Sequence, residues 1–493
     1  MFPLGTGSRA AYVKLKLKGI YMVLAQIADG VTRSIETVTD AVTAPFTETT
    51  IRLGVTGLSR AGKTVFITSL VANLMDRGRM PGLQAHARGG IMSAYLQPQP
   101  DDTIPRFDFE THLADLTGPE PKWPESTRHV SQLRLSIKVR PSGLLGVVSG
   151  PRKVHLDIVD YPGEWLLDLG LLDKPYGVWA AEAIERLKTR PSGQTYLDLL
   201  DTVDAGDALS ETTAKLLAGT FAAALEAARA AGFSDCSPGR FLLPGELDGS
   251  PVLTFAPVPD ASGAGRGTLG REMARRYEAY KREVVKPFFR DHFSRIDRQI
   301  VLLDVLGAIH NGPAALEDLR RAMADILGSF RAGRNAWLSS LLGAKRVDHI
   351  LFAATKADHL HHTQHPQLTA IVEAMVREAR DKAAFSGAKA GAIALSSLRT
   401  TIEEMRAHGG TELGVVRGRL LDSGKQAAFY PGALPDDPAQ LLSPARSGRT
   451  EWLEGDYSVM RFAPAHVTAT PGEGPPHIRL DRAAEFLLGD KLR

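Results

Sequence analysis

At 493 residues the chain is too long for one small core, and roughly 100–200 residues per domain implies roughly two to four. With 43% hydrophobic and 23% charged residues it has an ordinary globular composition, and a net charge of +3 is too small to imply a nucleic-acid partner. The single cysteine, Cys236, excludes an internal disulfide and suits a reducing cytoplasm, and no apolar run reaches the roughly 18–20 residues that span a bilayer. The first feature along the chain is Tyr12–Ile27, three lysines followed by an apolar stretch. It has a signal peptide's charged and apolar regions but no small-residue cleavage site follows. A helix packed on the rest of the protein and a basic amphipathic segment on a membrane surface both fit. The expectation is a cytoplasmic protein, with peripheral contact at the inner membrane left open.

Ile51–Thr56 is a short β-branched, apolar run and reads as a buried strand. Gly57-Leu58-Ser59-Arg60-Ala61-Gly62-Lys63-Thr64 then fits the phosphate-loop pattern G-x-x-x-x-G-K-[ST] at every fixed position. Val65–Leu74 places Phe66, Ile67, Leu70, Val71 and Leu74 on one helical face. Strand, glycine loop and helix N-terminus together bring backbone N–H groups and a positive dipole end to a polyphosphate. In this pattern Lys63 reaches the β- and γ-phosphates and the Thr64 hydroxyl ligates Mg²⁺. Gly57, Ser59, Arg60, Ala61, Gly62, Lys63, Thr64 and Val65 form the expected phosphate-binding set.

Arg77–Trp123, rich in Gly, Pro and Asp, reads as loop with short helices. His129–Val139 alternates apolar and polar residues, which predicts a half-buried strand. Pro141–Gly150 supplies a turn into a second strand, Lys153–Val159, and so short a connection makes the pair antiparallel. That strand ends in Asp160-Tyr161-Pro162-Gly163, a D-x-x-G whose Asp can hold Mg²⁺ through a water while the Gly163 N–H meets the γ-phosphate. Glu164–Arg298 is mostly helical in pattern, with helices over Trp165–Leu172, Trp179–Lys188, Leu209–Ala231 and Gly270–Arg298, and a loop over Ser234–Gly267. Gln299–Leu306 is an apolar strand, Pro313–Arg331 a helix, and Val347–Ala354 another buried strand running into Thr355-Lys356-Ala357-Asp358. Ile371–Ala384 is helical, and Ala390–Leu395 is a last strand ending in Ser396-Ser397. Beyond 398 only a final helix, Leu480–Leu492, has a clear pattern.

Alternating strands and helices imply an α/β fold: a mostly parallel sheet of the phosphate-loop NTPase kind, with an antiparallel edge hairpin and a large helical insertion. The expected divisions are 1–50 as an N-terminal helical segment and linker, 51–163 and 299–400 as two parts of one GTPase core, 164–298 as the helical insertion, and 401–493 as a C-terminal extension ending in a helix. Ligands of such sheets bind beyond the carboxyl ends of the strands. The phosphate loop, DYPG, TKAD and ALSS (Ala394–Ser397) all follow strand ends.

This order of motifs resembles the GTPase superfamily, and the antiparallel hairpin favours its Ras-like branch. The resemblance implies that Asp358 takes paired hydrogen bonds from guanine, that Lys356 packs along the base, and that Thr355, Ser396 and Ser397 lie nearby. VTGLSRAGKTVFITSLVANL, the segment Trp123-Pro124-Glu125-Ser126-Thr127, DYPGEW and the closing HIRLDRAAEFLLGDKL are similar to the YcjX family, a bacterial group commonly described as ATPases. That resemblance covers nearly the whole chain. It implies a GTPase-type core with a helical insertion, and an association with envelope stress beside a membrane-protein neighbour.

The expected activity is binding of GTP and GDP with Mg²⁺ and hydrolysis of GTP, as a switch in the bacterial stress response. Thr64 and Asp160 organise the metal, and Thr127, just before the first hairpin strand, is the favoured switch threonine over Thr111 and Thr103. Lys63, Gly163, Glu164 and Thr127 form the catalytic set, with Glu164 standing where many relatives carry a water-orienting Gln. Arg60 either supplies charge to the phosphates or faces solvent. His359, His361, His362 and His365 read as an exposed loop rather than a metal site, and Cys236 as no nucleophile. An ATPase, or a scaffold stabilised by nucleotide with negligible turnover, are the alternatives. The sequence calls for a guanine nucleotide, no nucleic acid, and an unnamed stress or membrane partner.

Overall fold

The computed structural model describes residues 48–58, 61–125, 129–140, 151–259, 263–291, 295–329, 347–385, 388–448, 461–466 and 470–493. The N-terminal segment, the Pro141–Gly150 turn, Ser59, Arg60 and Thr127 lie outside them. The centre is a seven-stranded sheet in the order β2-β3-β4-β1-β5-β6-β7. Its parallel part consists of β1 (Glu48–Gly57), β4 (Arg152–Asp160), β5 (Arg298–Leu303), β6 (His349–Ala354) and β7 (Lys389–Ala394). At one edge β3 (Ser131–Val139) pairs antiparallel with β4, as the short connection requires, and β2 (Ile91–Gln97) pairs antiparallel with β3.

The inner parallel strands are largely apolar because both faces are covered, with polar exceptions such as Asp157 and Arg298. In β5, Ile300 and Leu302 enter one core while Val301 and Leu303 enter the other; in β6, Leu351 and Ala353 alternate likewise with Ile350, Phe352 and Ala354. The first core lies under α1 (Lys63–Met75), which buries Phe66, Ile67, Leu70, Val71 and Leu74 as its spacing predicts. A late helix (Leu480–Leu488) packs into the same core through Leu480, Ala483, Ala484, Leu487 and Leu488. The second core contains the helices between β4 and β5, together with Pro313–Ser329 and His365–Phe385.

Between β4 and β5 the chain is helical: α3 (Gly163–Leu167), α4 (Tyr176–Lys188), α5 (Gln194–Leu200), α6 (Glu211–Ala230) and α7 (Leu269–Tyr280). They close on an aromatic centre in which Trp179 stacks on Tyr277 at 4.8 Å and meets Phe255 edge-on at 5.5 Å.

Four expectations are corrected. Arg77–Trp123 contains β2 and a helix, α2, at Phe109–Thr117; β2 is a bulged edge strand with Met92 exposed, so its alternation is weak. The helix expected to run to Arg298 ends its described course at Asp291, and Arg298 opens β5. The strand expected to reach Leu306 stops at Leu303: Asp304 accepts the Gly307 N–H at 3.1 Å and caps a helix, Val305–His310. An apolar run alone could not reveal that switch. Finally, the tail holds a three-stranded antiparallel sheet, Thr401–His408, Thr411–Arg419 and Gln426–Phe429, whose strands bury few residues fully and carry little hydrophobic signal. No helix among the described residues is long and apolar enough to cross a membrane.

Candidate functional site

Because β4, β1, β5, β6 and β7 run parallel, their carboxyl ends share one edge, and there a cavity of about 1050 Å³ opens. It is lined at one end by Gly57, Ala61, Gly62, Lys63, Thr64 and Val65, and at the other by Thr355, Lys356, Asp358, Ser396 and Ser397. Glu164 lines it too, just past the DYPG turn that rests on the phosphate loop.

The phosphate-loop end is built on glycine. Gly62 sits at φ 79° at the head of α1, a left-handed conformation that admits the turn into the helix. At Gly163 a Cβ would lie 2.2 Å from the Gly57 carbonyl oxygen, so the DYPG turn rests its bare backbone directly on the loop. Lys63 Nζ stands 3.5 Å from Asp160 Oδ1. Asp160 is 1% exposed, and neither of its carboxylate oxygens has a hydrogen-bond partner among the described residues. A buried carboxylate left that way is costly, and it suits a hard divalent cation. Asp160 and the Thr64 hydroxyl are the oxygen donors Mg²⁺ prefers, so the residues fit that ion.

Glu164 is 8% exposed, and Arg229, in the last turn of α6, places Nη1 3.8 Å from its Oε1. Arg229 lines the same cavity, with Glu226 and Ala230. No sequence pattern singled it out, because it arrives from α6, far in sequence from every motif.

At the other end the TKAD residues and Ser396 each have a definite partner, while Ser397 is buried in the cavity wall. Thr355 donates both its N–H (2.9 Å) and its hydroxyl (3.2 Å) to Leu303 O, so its side chain braces β5 against β6. Lys356 takes a left-handed φ of 60° and pairs with Asp304. Asp358 is 3% exposed, and its Oδ2 accepts from Thr400 N at 2.9 Å and Thr400 Oγ1 at 2.7 Å. Ala357 N donates to Leu395 O at 3.1 Å, joining TKAD to the last strand's end. Ser396 is committed structurally: its hydroxyl donates to Leu398 O at 2.9 Å and its N–H to Ile478 O at 3.0 Å. Thr400 and Asp304 are site residues the sequence did not reveal.

Thr103 bonds Asp101 and Thr111 N bonds Asp108 at 3.4 Å; neither threonine lines the cavity. Glu125 and His129, flanking Thr127 in sequence, both do. The expectation of an exposed histidine loop is corrected in part: His362 is exposed, but His361 and His365 are only 5% and 1% exposed. His365 Nε2 lies 2.8 Å from Ala357 O, and burial lowers the pKa of its imidazole. His359 lies edge-on to Phe462 at 5.2 Å, its pKa likewise lowered by burial. Cys236 is buried, and burial pushes its thiol up to about 12, which leaves it inert.

Comparison with known proteins agrees with this architecture. The model of the YcjX-like family, DUF463, matches residues 51–492. The protein named Ras-like GTPase YcjX from Escherichia coli strain K12 is 35% identical over 460 residues, covering 90% of this chain and 96% of that protein. A second protein of the same name, from Shewanella oneidensis, is 34% identical over 468 residues, covering 90% of this chain and 94% of its own.

Proposed function

The chain belongs to the YcjX-like family, and from that membership and its site we propose a Ras-like GTPase that binds GTP and GDP with Mg²⁺ and hydrolyses GTP. The observation that carries this reading is the single cavity joining Lys63 and Thr64 to Lys356 and Asp358. It has a phosphate cradle at one end, a buried acceptor for a base at the other, and a volume at the upper end of the roughly 300–1,000 Å³ common for ligand pockets.

In this reading Lys63 and the loop amides hold the phosphates, with Ser59 and Arg60 in the same loop. Bound Mg²⁺, held by Thr64 and Asp160 and by Thr127 as the switch threonine, would neutralise charge between the phosphates. Asp358 accepts from the guanine N1–H and amino group. Adenine offers no such donor pair, so the carboxylate selects against it. Lys356, held by Asp304, flanks the base.

Glu164 would orient water, and its carboxylate beside a γ-phosphate would repel unless compensated. Arg229 stands where it compensates that charge, or turns to the phosphate as charge develops. Because each role competes for one guanidinium, intrinsic turnover is expected to be slow. The core (51–163 and 299–400) would carry the nucleotide, with the insertion (164–298) as its reader. Three contacts lie directly behind Glu164: Gly239 N donates to Asp168 Oδ1 at 2.8 Å, the Arg240 guanidinium covers Trp165 at 3.4 Å, and a Cβ on Gly239 would lie 2.3 Å from the Glu164 carbonyl oxygen. Movement of DYPG would therefore reach the insertion. A stress-response or membrane partner would read that movement.

Calorimetric titration with GDP, a non-hydrolysable GTP analogue and an ATP analogue, each with Mg²⁺, tests the reading. Guanine-selective binding is expected. Equal or tighter ATP-analogue binding would overturn the guanine assignment, and identical proteolysis patterns with GDP and the GTP analogue would overturn the switch.

A further inference from the structure

Away from the cavity, the turn after TKAD meets the small sheet of the tail. His361 and His362 come from that turn and Glu403 from strand Thr401–His408, and one ligand atom of each lies within 4.8 Å of the other two. His362 Nδ1 is 2.5 Å from Glu403 Oε2, and His361 Nε2 is 3.9 Å from the same oxygen. The two imidazole rings lie 4.3 Å apart. We propose that His361, His362 and Glu403 form a binding site for a divalent first-row cation of the Zn²⁺ class.

The longer distance is informative. At 3.9 Å the His361–Glu403 pair makes no hydrogen bond. Two ligand atoms held 2.0–2.2 Å from one Zn²⁺ at tetrahedral angles lie about 3.3–3.6 Å apart, so this pair needs to close by only a few tenths of an ångström. His361 is held for the purpose. Its ring is buried against Gly414, where a Cβ would come within 2.7 Å of the ring, and its Nδ1 sits 3.0 Å from the Thr363 hydroxyl. With Nδ1–H donated to that hydroxyl, Nε2 presents its lone pair towards Glu403. Arg399 Nη2 holds the other carboxylate oxygen at 3.1 Å, leaving Oε2 as the ligand and supplying the outer support such sites use. His362 must open by about 1 Å to share a metal; its side chain is 65% exposed, so the ring is free to swing.

Two imidazoles and one carboxylate suit zinc and its first-row neighbours, with solvent completing the coordination. The cation would tie Glu403 to the turn that starts at Asp358. Thr400 and Thr401, just before Glu403, already bond Asp358. Occupancy would then stiffen the base-reading loop without entering the nucleotide cavity.

Untagged, chelator-stripped full-length protein is titrated calorimetrically with Zn²⁺, in the absence of nucleotide so that the result is independent of the GTPase reading. One site is expected in the wild type, weakened about tenfold or more in Glu403→Gln and His361→Asn, and unchanged in His408→Asn, an exposed control. Co²⁺ added to the wild type is expected to show visible bands of a low-coordinate nitrogen and oxygen site, a readout no variant's folding can confuse. Absence of wild-type Zn²⁺ binding, equal affinity in the variants, or a Co²⁺ spectrum unchanged from the aqueous ion would overturn the proposal.

Discussion

Replacing Asp358 by Asn interrogates base reading most directly. Both protons offered by Thr400 go to Oδ2, and a carboxylate oxygen has two lone-pair sites. Oδ1 is therefore the oxygen left for a base, and of guanine's two donors one makes a full charge-assisted bond there while the other shares. A hydrogen bond to a charged group contributes roughly 1.5–3 kcal/mol. One full and one shared bond put the loss near 2–4 kcal/mol, roughly 30- to 1000-fold in affinity. The variant keeps the side chain's shape, and its amide oxygen can still accept from Thr400, so the fold should survive. Its amide N–H₂ would face the base, repelling guanine's amino group and welcoming the carbonyl that xanthine carries there. Calorimetry with GDP, XDP and ADP, each with Mg²⁺, should show GDP weakened by that factor and XDP gaining. GDP affinity unchanged in Asp358→Asn would refute the assignment of Asp358 as base reader.

Three further outcomes are expected. Arg229→Ala should slow single-turnover GTP hydrolysis by roughly a hundredfold or more while leaving GDP affinity within a few-fold; equal loss of binding would mean that Arg229 serves only ground-state contacts. Arg298 is 1% exposed at the start of β5 and bonds Asp348 (2.6 Å), Asp490 (2.8 Å) and Leu487 O (3.1 Å). Arg298→Met should cost about 2–3 kcal/mol, below the loss for a fully buried pair because both aspartates reach solvent, and an unchanged melting temperature would contradict that. Burial pushes the Asp168 carboxyl up to about 7 from 3.8, against the opposing hydrogen bonds of Tyr280 and Gly239. Its contribution to stability is thus complete below the unfolded value and disappears as pH rises through about 7, by roughly 4 kcal/mol at the limit. Urea denaturation from about pH 5 to 8 should show the wild type falling relative to Asp168→Asn; parallel curves would refute it.

The parallel strands, α1 and the edge hairpin were legible because each is either an unbroken apolar run or a clean alternation, punctuated by glycine. The four motifs were legible because each follows such a strand. Arg229, Thr400 and Asp304 were not, since residues brought together from separate elements carry no local signature. Glu403 was hidden for the same reason, which made the histidine-rich turn look like bare loop. β2 and the tail sheet escaped because edge and surface strands bury too little to show a period. Arg298, an arginine wholly inside the fold, contradicts the usual placement of its type, and only its three partners from distant segments account for it.

The late helix has a temporal consequence. Asn73, on the helix that follows the phosphate loop, donates to Pro475 O at 3.0 Å across 402 residues of chain, and Gly82 N reaches Asp481 Oδ2 at 2.7 Å. At roughly 5–20 residues per second, a ribosome takes about 20–80 s to deliver that far partner after the near one emerges. For that interval the core around the first helix has its strands but lacks Leu480, Ala483, Ala484, Leu487 and Leu488, and the cradle built upon it stays open on that side. A cell making this protein must shelter a half-finished pocket before the chain can fasten it.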